Sequence, residues 1–403
     1  MIRQCVILAG GQGTRLGALA ATTPKPALEV GGRPFLFWLM REMRRFGIER
    51  FLILAGHLAA VLEREVRAAA PLLPKPCEIA FVAEPAPAGT GGALLGAGER
   101  LDERFLLCNG DSLFDANLAR LLGDAMADPP GVLGRLLLRR TENAARYGIL
   151  TLSGDRVTAF RERPAPGESG VVNAGVYVLD RRLLGHLAPV CSLEREALPA
   201  LAAAGALRGT VAPGWFVDIG IPDDLARARA ELAPRLRRPA LFLDRDGVLN
   251  VDHGYVGTRD RFAWTPGALD AVRLATESGW HVFIVTNQSG VARGLYDEAA
   301  VRSLLAWIAE EIRRAGGTID DARYCPYHPE APLAAYRRAS AWRKPAPGMV
   351  RDLIRAWELD PARCVLVGDQ PSDVAAAAAA GVEGHLFPGG DLRRFVTRLL
   401  PRR

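Results

Sequence analysis

Short apolar runs alternate with longer stretches in which apolar positions recur every three or four residues, almost from one end of the chain to the other. The runs predict strands at Gln4–Leu8, Arg50–Leu54, Glu78–Val82, Arg104–Cys108, Val132–Arg139 and Val172–Leu179. The periodic stretches predict helices at Pro34–Phe46, Leu58–Ala69, Thr90–Ala97, Leu118–Ala127 and Asp223–Glu231, since a one-sided helix needs that period. Further on, strands are expected at Ala240–Leu243, His281–Thr286, Ala322–Cys325 and Cys364–Val367. Helices are expected there at Gly267–Ser278, Glu298–Ala315, Pro347–Trp357 and Ser372–Ala380. Such alternation argues for an α/β architecture with mainly parallel sheets. Between the halves, the segment APRLRRP is basic and contains Pro234 and Pro239, which discourage helix, and a fresh apolar strand follows at once. The division expected is a domain over residues 1–232, a linker over 233–239 and a domain over 240–403. No internal repeat is found, and the alanine-rich stretches each end in glycine, as capped helices do.

Composition narrows the setting. The chain has 403 residues, about half of them apolar, and no apolar run long enough to cross a membrane. Its start, MIRQCVILAGG, becomes glycine-rich too soon for a signal peptide. Six cysteines lie far apart with no CxxC pair, which reads as reduced core thiols and a cytoplasmic protein. The net charge of +6 comes from basic residues spread along the whole chain, without a cluster that would grip nucleic acid. Neither nucleic acid nor membrane is an expected partner, and a homo-oligomer is compatible with the composition. Lysine occurs only at Lys25, Lys75 and Lys344 among abundant arginine. A surviving lysine suits a place needing a compact point charge, and two of the three fall inside motifs.

The first motif, VILAGGQGTRL (Val6–Leu16), follows a predicted strand. Its glycines let backbone N–H groups approach phosphate oxygens, and Arg15 and Lys25 can neutralise phosphate charge. A glycine-rich turn alone would suit a purely structural bend. The ordered string LAGG-x-GTRL followed by PKP is more specific, and resembles the sugar-phosphate nucleotidyltransferase family. The resemblance continues through EPAPAGTGGAL, NGDSLFD, FRERP, VNAGVYVL and FVDIGIPDDLARA. It implies nucleotide contacts at Leu8, Ala9, Gly10, Gly11, Gly13, Thr14, Glu84, Gly89 and Thr90, and sugar contacts at Gly148, Glu162, Arg163 and Asn173. It also implies Mg²⁺ held by Asp111 and Asp218, although Asp218 has a second reading as a carboxylate favouring a helix start. Lysine is usual where this chain has Arg163, so charge is kept and contact geometry changes. The patterns SLEREALPAL and WFVDIGIPDD are most similar to heptose 1-phosphate guanylyltransferases within that family, which is the only ground for expecting GTP.

The second motif, ALFLDRDGVLN (Ala240–Asn250), puts Asp244 and Asp246 at a strand end, where ligands bind in open α/β sheets. Asp244 can attack phosphorus to give an aspartyl-phosphate, and Asp246 can protonate the leaving alcohol and then activate water. Thr286 in FIVTNQSG can bind a phosphoryl oxygen, Lys344 in WRKP can offset developing charge, and Asp369 and Asp373 in VGDQPSD can share Mg²⁺ with Asp244 and Asp246. This order of elements is similar to the haloacid dehalogenase superfamily. VDHGYV, TNQSGVARG and CPYHPE resemble its heptose 1,7-bisphosphate 7-phosphatases and histidinol-phosphatases. That resemblance implies substrate contacts at His253, Asn287, Arg293 and Arg343. Relatives often add a zinc-binding CxC, but Ser340 and Trp342 stand there, so Cys325 and His328 are read as loop packing and no zinc is expected.

Together the resemblances imply a Rossmann-like nucleotidyltransferase domain followed by a Rossmannoid phosphatase domain without a large cap, both using Mg²⁺. The phosphatase would clear the 7-phosphate of a heptose 1,7-bisphosphate, and the transferase would couple the heptose 1-phosphate to a nucleoside triphosphate. The product would be GDP-D-glycero-α-D-manno-heptose. Two alternatives stay open: a hexose 1-phosphate nucleotidyltransferase fused to another phosphatase, such as one for histidinol phosphate, or one inactive domain serving as a scaffold.

Overall fold

A computed structural model describes residues 2–144, 147–161, 165 and 167–400. The chain divides into two compact units, Met1–Pro234 and Arg235–Arg403. Among the described residues, no helix is long and apolar enough to cross a membrane.

The first unit is built on a nine-stranded sheet. Its first four strands, in spatial order, are Glu78–Ala83, Arg50–Ala55, Gln4–Ala9 and Arg104–Asn109, all parallel. Helices Phe35–Arg45, Ala59–Ala69 and Gly89–Gly96 lie between them in sequence, as βαβ connections require. Beyond Arg104–Asn109 the sheet is mixed. Gly170–Asp180 pairs antiparallel with both Arg104–Asn109 and Gly134–Thr141, and Ile149–Ser153 pairs antiparallel with Arg156–Arg161. The expectation of mainly parallel sheets therefore fails for half of this unit. Its short, half-exposed strands are joined by tight turns, such as the one at Gly154, and need no crossover helix. A separate ribbon pairs Ser112–Asp115 with Trp215–Asp218.

The helix predicted at Asp223–Glu231 runs over Pro222–Leu236, through Pro234 and into the segment expected as a linker. Leu232 and Leu236 are fully buried, and that packing outweighs the backbone hydrogen bond a proline removes.

The second unit is wholly parallel. Five strands lie in the order Asp321–Cys325, His281–Asn287, Ala240–Leu243, Cys364–Gly368 and Glu383–Leu386. Ala240–Leu243 is buried at every position, which is why it reads as an unbroken apolar run. On one side Trp357, from helix Gly348–Trp357, packs on Phe283 with ring centroids 5.5 Å apart. The fold thus brings the C-terminal ends of Ala240–Leu243, His281–Asn287 and Cys364–Gly368 to one edge.

Candidate functional site

In the first unit, the loop after strand Gln4–Ala9 and the start of helix Gly89–Gly96 frame a cavity of about 570 Å³. Leu8, Ala9, Gly10, Gly11, Lys25, Glu84, Gly89, Thr90 and Asp111 all line it. Nine residues expected at the nucleotide site or beside it are thus brought together from four segments of the chain. Gly13 is left-handed, with φ 68°, and a Cβ there would lie 2.7 Å from that of Ala20, so the turn admits glycine for two reasons. Gly13, Thr14 and Arg15 do not line the cavity. Thr14 and Arg15 are exposed on the turn Thr14–Ala20. Burial raises the Glu84 carboxyl, against a lowering hydrogen bond from the Ala88 backbone. Gly56 and His57 also line the cavity and carried no motif signal.

A second cavity of about 720 Å³ adjoins the first, and Asn109, Asp111 and Glu194 line both. Gly148, Asn173 and Asp218 line the second one, with Ser112, Tyr147 and Phe216 among residues not anticipated. Ribbon pairing explains how Asp111 and Asp218, far apart in sequence, become neighbours. Asp218 pairs with Ser112 in register, and Ile219 N–H donates to the Asp111 carbonyl at 2.9 Å. Lys25 Nζ lies 3.1 Å from Asp111 Oδ2. Asp218 Oδ1 also accepts from Gly220 N–H at 2.7 Å, a turn before the helix Pro222–Leu236, whose first turn carries Asp223 and Asp224. Glu162 and Arg163 lie outside the described residues.

In the second unit, single carboxylate oxygens of Asp244, Asp369 and Asp373 lie within 4.8 Å of one another. Lys344 Nζ reaches Asp244 Oδ1 at 3.0 Å, Asp373 Oδ1 at 2.6 Å and the Val285 carbonyl at 2.8 Å. The Asp373 contact is a close charge pair outside hydrogen-bond angles. Gly247, with φ 79°, permits the approach, because a Cβ there would meet Asp369 Oδ2 at 2.3 Å. Burial lifts the Asp244 carboxyl to about 7, opposed by the Lys344 ammonium and reinforced by Asp373 and Asp246. For Lys344, burial is the largest influence and lowers it, yet the carboxylates beside it together hold it above its ordinary value. Three crowded carboxylates facing one ammonium leave excess negative charge in a buried place, and a divalent cation with oxygen ligands fits that donor set.

Asp246 departs from expectation. Its side chain stands outside the carboxylate group and is gripped by Arg245 at 2.7 Å, Asn250 at 3.0 Å and Gln288 at 3.0 Å. Gln288 also donates to Thr286 Oγ at 2.8 Å and accepts from Tyr296 at 2.9 Å. Burial lifts the Tyr296 hydroxyl to about 12, so it remains a donor. Arg245 and Gln288 were legible only as a charged residue between the two aspartates and a polar one after TN. Asn287 also differs, because both its amide atoms bind the Lys344 backbone at 3.1 Å and so position the lysine. Arg343 is lowered mainly by burial, with the charge of Arg293 adding to it. His328, read as packing, is lowered mainly by desolvation and then by the same two arginines. His253 is exposed.

Comparison with known proteins agrees with this division. The nucleotidyl transferase family matches residues 4–234, and the HAD-hydrolase-like family matches residues 341–397. A D-glycero-beta-D-manno-heptose-1,7-bisphosphate 7-phosphatase of Rhodopseudomonas palustris is 51% identical over 164 residues, 41% of this chain and 91% of that protein. The enzyme of the same name from Salmonella typhi is 42% identical over 144 residues, 36% of this chain and 77% of that protein. Among solved structures, HddC from Yersinia pseudotuberculosis superposes with a TM-score of 0.51 at 26% identity, covering 57% of this chain and all of that one. Its complex with GMP-PN gives 0.51 at 27%. The chain therefore belongs to the nucleotidyl transferase family through its first unit and to the haloacid dehalogenase-like phosphatases through its second, a bifunctional transferase and hydrolase.

Proposed function

We propose that the two units carry out successive steps in making a nucleotide-activated heptose. The second unit hydrolyses the 7-phosphate of a D-glycero-D-manno-heptose 1,7-bisphosphate. The first then transfers GMP from GTP to the heptose 1-phosphate and releases pyrophosphate. The observation that carries this is the presence, in one chain, of a buried Asp244–Lys344–Asp373 cluster and a nucleotide-sized cavity with Lys25 on Asp111. The names of the relatives support the bisphosphate, and the GMP-PN complex of HddC supports a guanine nucleotide. The relatives are named for the β anomer, so both anomers belong in the assay.

In the hydrolysis, Asp244 attacks phosphorus and the sugar hydroxyl leaves with a proton from Asp246. Asp246 then takes a proton from the water that opens the aspartyl-phosphate. Arg245 and Gln288 hold Asp246 in place, and Lys344 offsets charge growing on the phosphoryl oxygens. Asp244, Asp369 and Asp373 would hold Mg²⁺, which when bound shields the phosphate from the nucleophile's charge. In the transfer, the sugar phosphate oxygen attacks the α-phosphorus in line, and Lys25 with the loop N–H groups neutralises charge. Asp111 and Asp218 would hold Mg²⁺ there.

The test is Asp244→Asn in the full chain, given Mg²⁺ and GTP. It is expected to abolish phosphate release from either anomer of the bisphosphate while leaving pyrophosphate release from supplied heptose 1-phosphate intact. Loss of both would argue against two complete sites. Equal or better turnover of mannose 1-phosphate and histidinol phosphate would overturn the heptose assignment.

A further inference from the structure

Glu194 stands where the two cavities of the first unit meet, and nothing in the reading above gives it work. Among the described residues it lines both, together with Asn109 and Asp111. Its carboxylate is held by two hydroxyls on one oxygen. Thr90, at the start of helix Gly89–Gly96, donates its hydroxyl to Oε2 at 2.7 Å, and the Ser192 hydroxyl approaches the same oxygen at 3.4 Å. The fully buried Tyr177 hydroxyl is raised by that burial and lies near enough for the Glu194 charge to raise it further, and it accepts from Asn173 Nδ2 at 2.7 Å. The backbone is pinned too, since Leu193 N–H donates to Thr90 Oγ at 2.8 Å and Gly91 N–H to the Cys191 carbonyl at 3.0 Å. Thr90 belongs to the nucleotide cavity, while Asn173 and Tyr177 belong to the second cavity.

A carboxylate has about four acceptor positions, and the two hydroxyls that reach Glu194 both fall on Oε2. The residue lines both cavities, which leaves acceptor capacity for a ligand where they meet. A side chain fixed by these hydroxyls loses little freedom on binding, which is how a recognition group is made selective. The junction is also where the chemistry must happen. The anomeric phosphate has to reach the α-phosphorus beside Asp111 and Lys25, so the sugar enters with its C1 end toward this wall. The first free hydroxyl behind C1 is the one on C2.

We propose that Glu194 is a substrate-recognition residue of the transferase, accepting a hydrogen bond from the C2 hydroxyl of the sugar 1-phosphate. This rests on the transferase reading above and deepens it. No bond is made or broken at Glu194, and its contribution is to fix the orientation of C1 and its phosphate toward the nucleotide. Losing a charge-assisted acceptor costs roughly a 10- to 100-fold fall in kcat/KM for a substrate that uses it, and nothing for one that does not.

The experiment uses the full chain, wild type and Glu194→Gln, with Mg²⁺, GTP, and either D-glycero-D-manno-heptose 1-phosphate or its 2-deoxy analogue. Glu194→Gln is expected to lower kcat/KM for the natural sugar by that factor, mainly through its KM, while the KM for GTP and phosphate release by the second unit stay unchanged. With the 2-deoxy analogue, wild type and variant should be equal. An equal penalty on both sugars, no penalty on either, or a penalty falling on GTP overturns the assignment. If the variant is poorly folded, Glu194→Asp serves instead, and the same dependence on the C2 hydroxyl must appear. A wild-type protein that forms no pyrophosphate from any sugar 1-phosphate would count against the transferase reading itself, and is told apart by that control.

Discussion

Lys344 sits almost fully buried between Asp244 and Asp373, and a charge so placed persists only because opposite charges surround it. Replacing it by methionine removes the cation that offsets phosphoryl charge. We expect phosphate release to fall by roughly 10²- to 10³-fold, the usual scale for a preorganised charge in a dry site. Pyrophosphate release from heptose 1-phosphate should not change, and a variant keeping phosphate release within a factor of ten would contradict the role. Asp111→Asn should do the converse, because Asp111 faces Lys25 in the other unit. Both residues were legible in the sequence through motifs that resemble known families. Arg245, Gln288, Glu194 and the posture of Asn287 were not, since a partner such as Tyr296 or Thr90 is set by folding and carries no local signature.

Among the elements, helix Gly348–Trp357 shows how packing serves the site. Its amphipathic face ends in Trp357, fully buried against Phe283 and His281 on the strand that carries Thr286 and Asn287. Trp357→Ala should cost about 3–5 kcal/mol, as other large aromatic truncations do. Two units need not unfold together, so denaturant titration should be followed through each activity separately. Phosphatase activity is expected to be lost at lower denaturant, with transferase activity lost where it is in the wild type. Equal shifts in both would mean that the units unfold as one. Among the strands missed in the sequence, Ile149–Ser153 and Arg156–Arg161 left apolar positions at Leu150, Leu152 and Val157 around a Gly154 turn. That signal was there, but short half-exposed strands give it only weakly.

For the molecule as a whole, each cluster of site residues is drawn from within one unit. Two singly inactivated chains should therefore complement each other. A mixture of Asp244→Asn and Asp111→Asn, given the bisphosphate and GTP, is expected to form nucleotide-heptose, with phosphate appearing before pyrophosphate. Either variant alone should form none. Failure of the mixture, with each remaining activity intact, would show that the intermediate does not pass through solution.

Sequence alone indicated the main alternation of strands and helices, the two chemistries and the strand ends that carry them, because hydrophobic period and short motifs are local properties. Lys25, Asp111, Asp244, Lys344, Asp369 and Asp373 could be named in advance because they stand in short strings that resemble known families. Tertiary structure decided what depends on distant segments meeting. It turned half of the first sheet antiparallel, drew Asp218 beside Asp111 through a ribbon, and carried a helix through Pro234 because Leu232 and Leu236 had a core to fill. It also placed Glu194 between two cavities, since a carboxylate becomes a recognition group only once Thr90 and Tyr177 are folded around it.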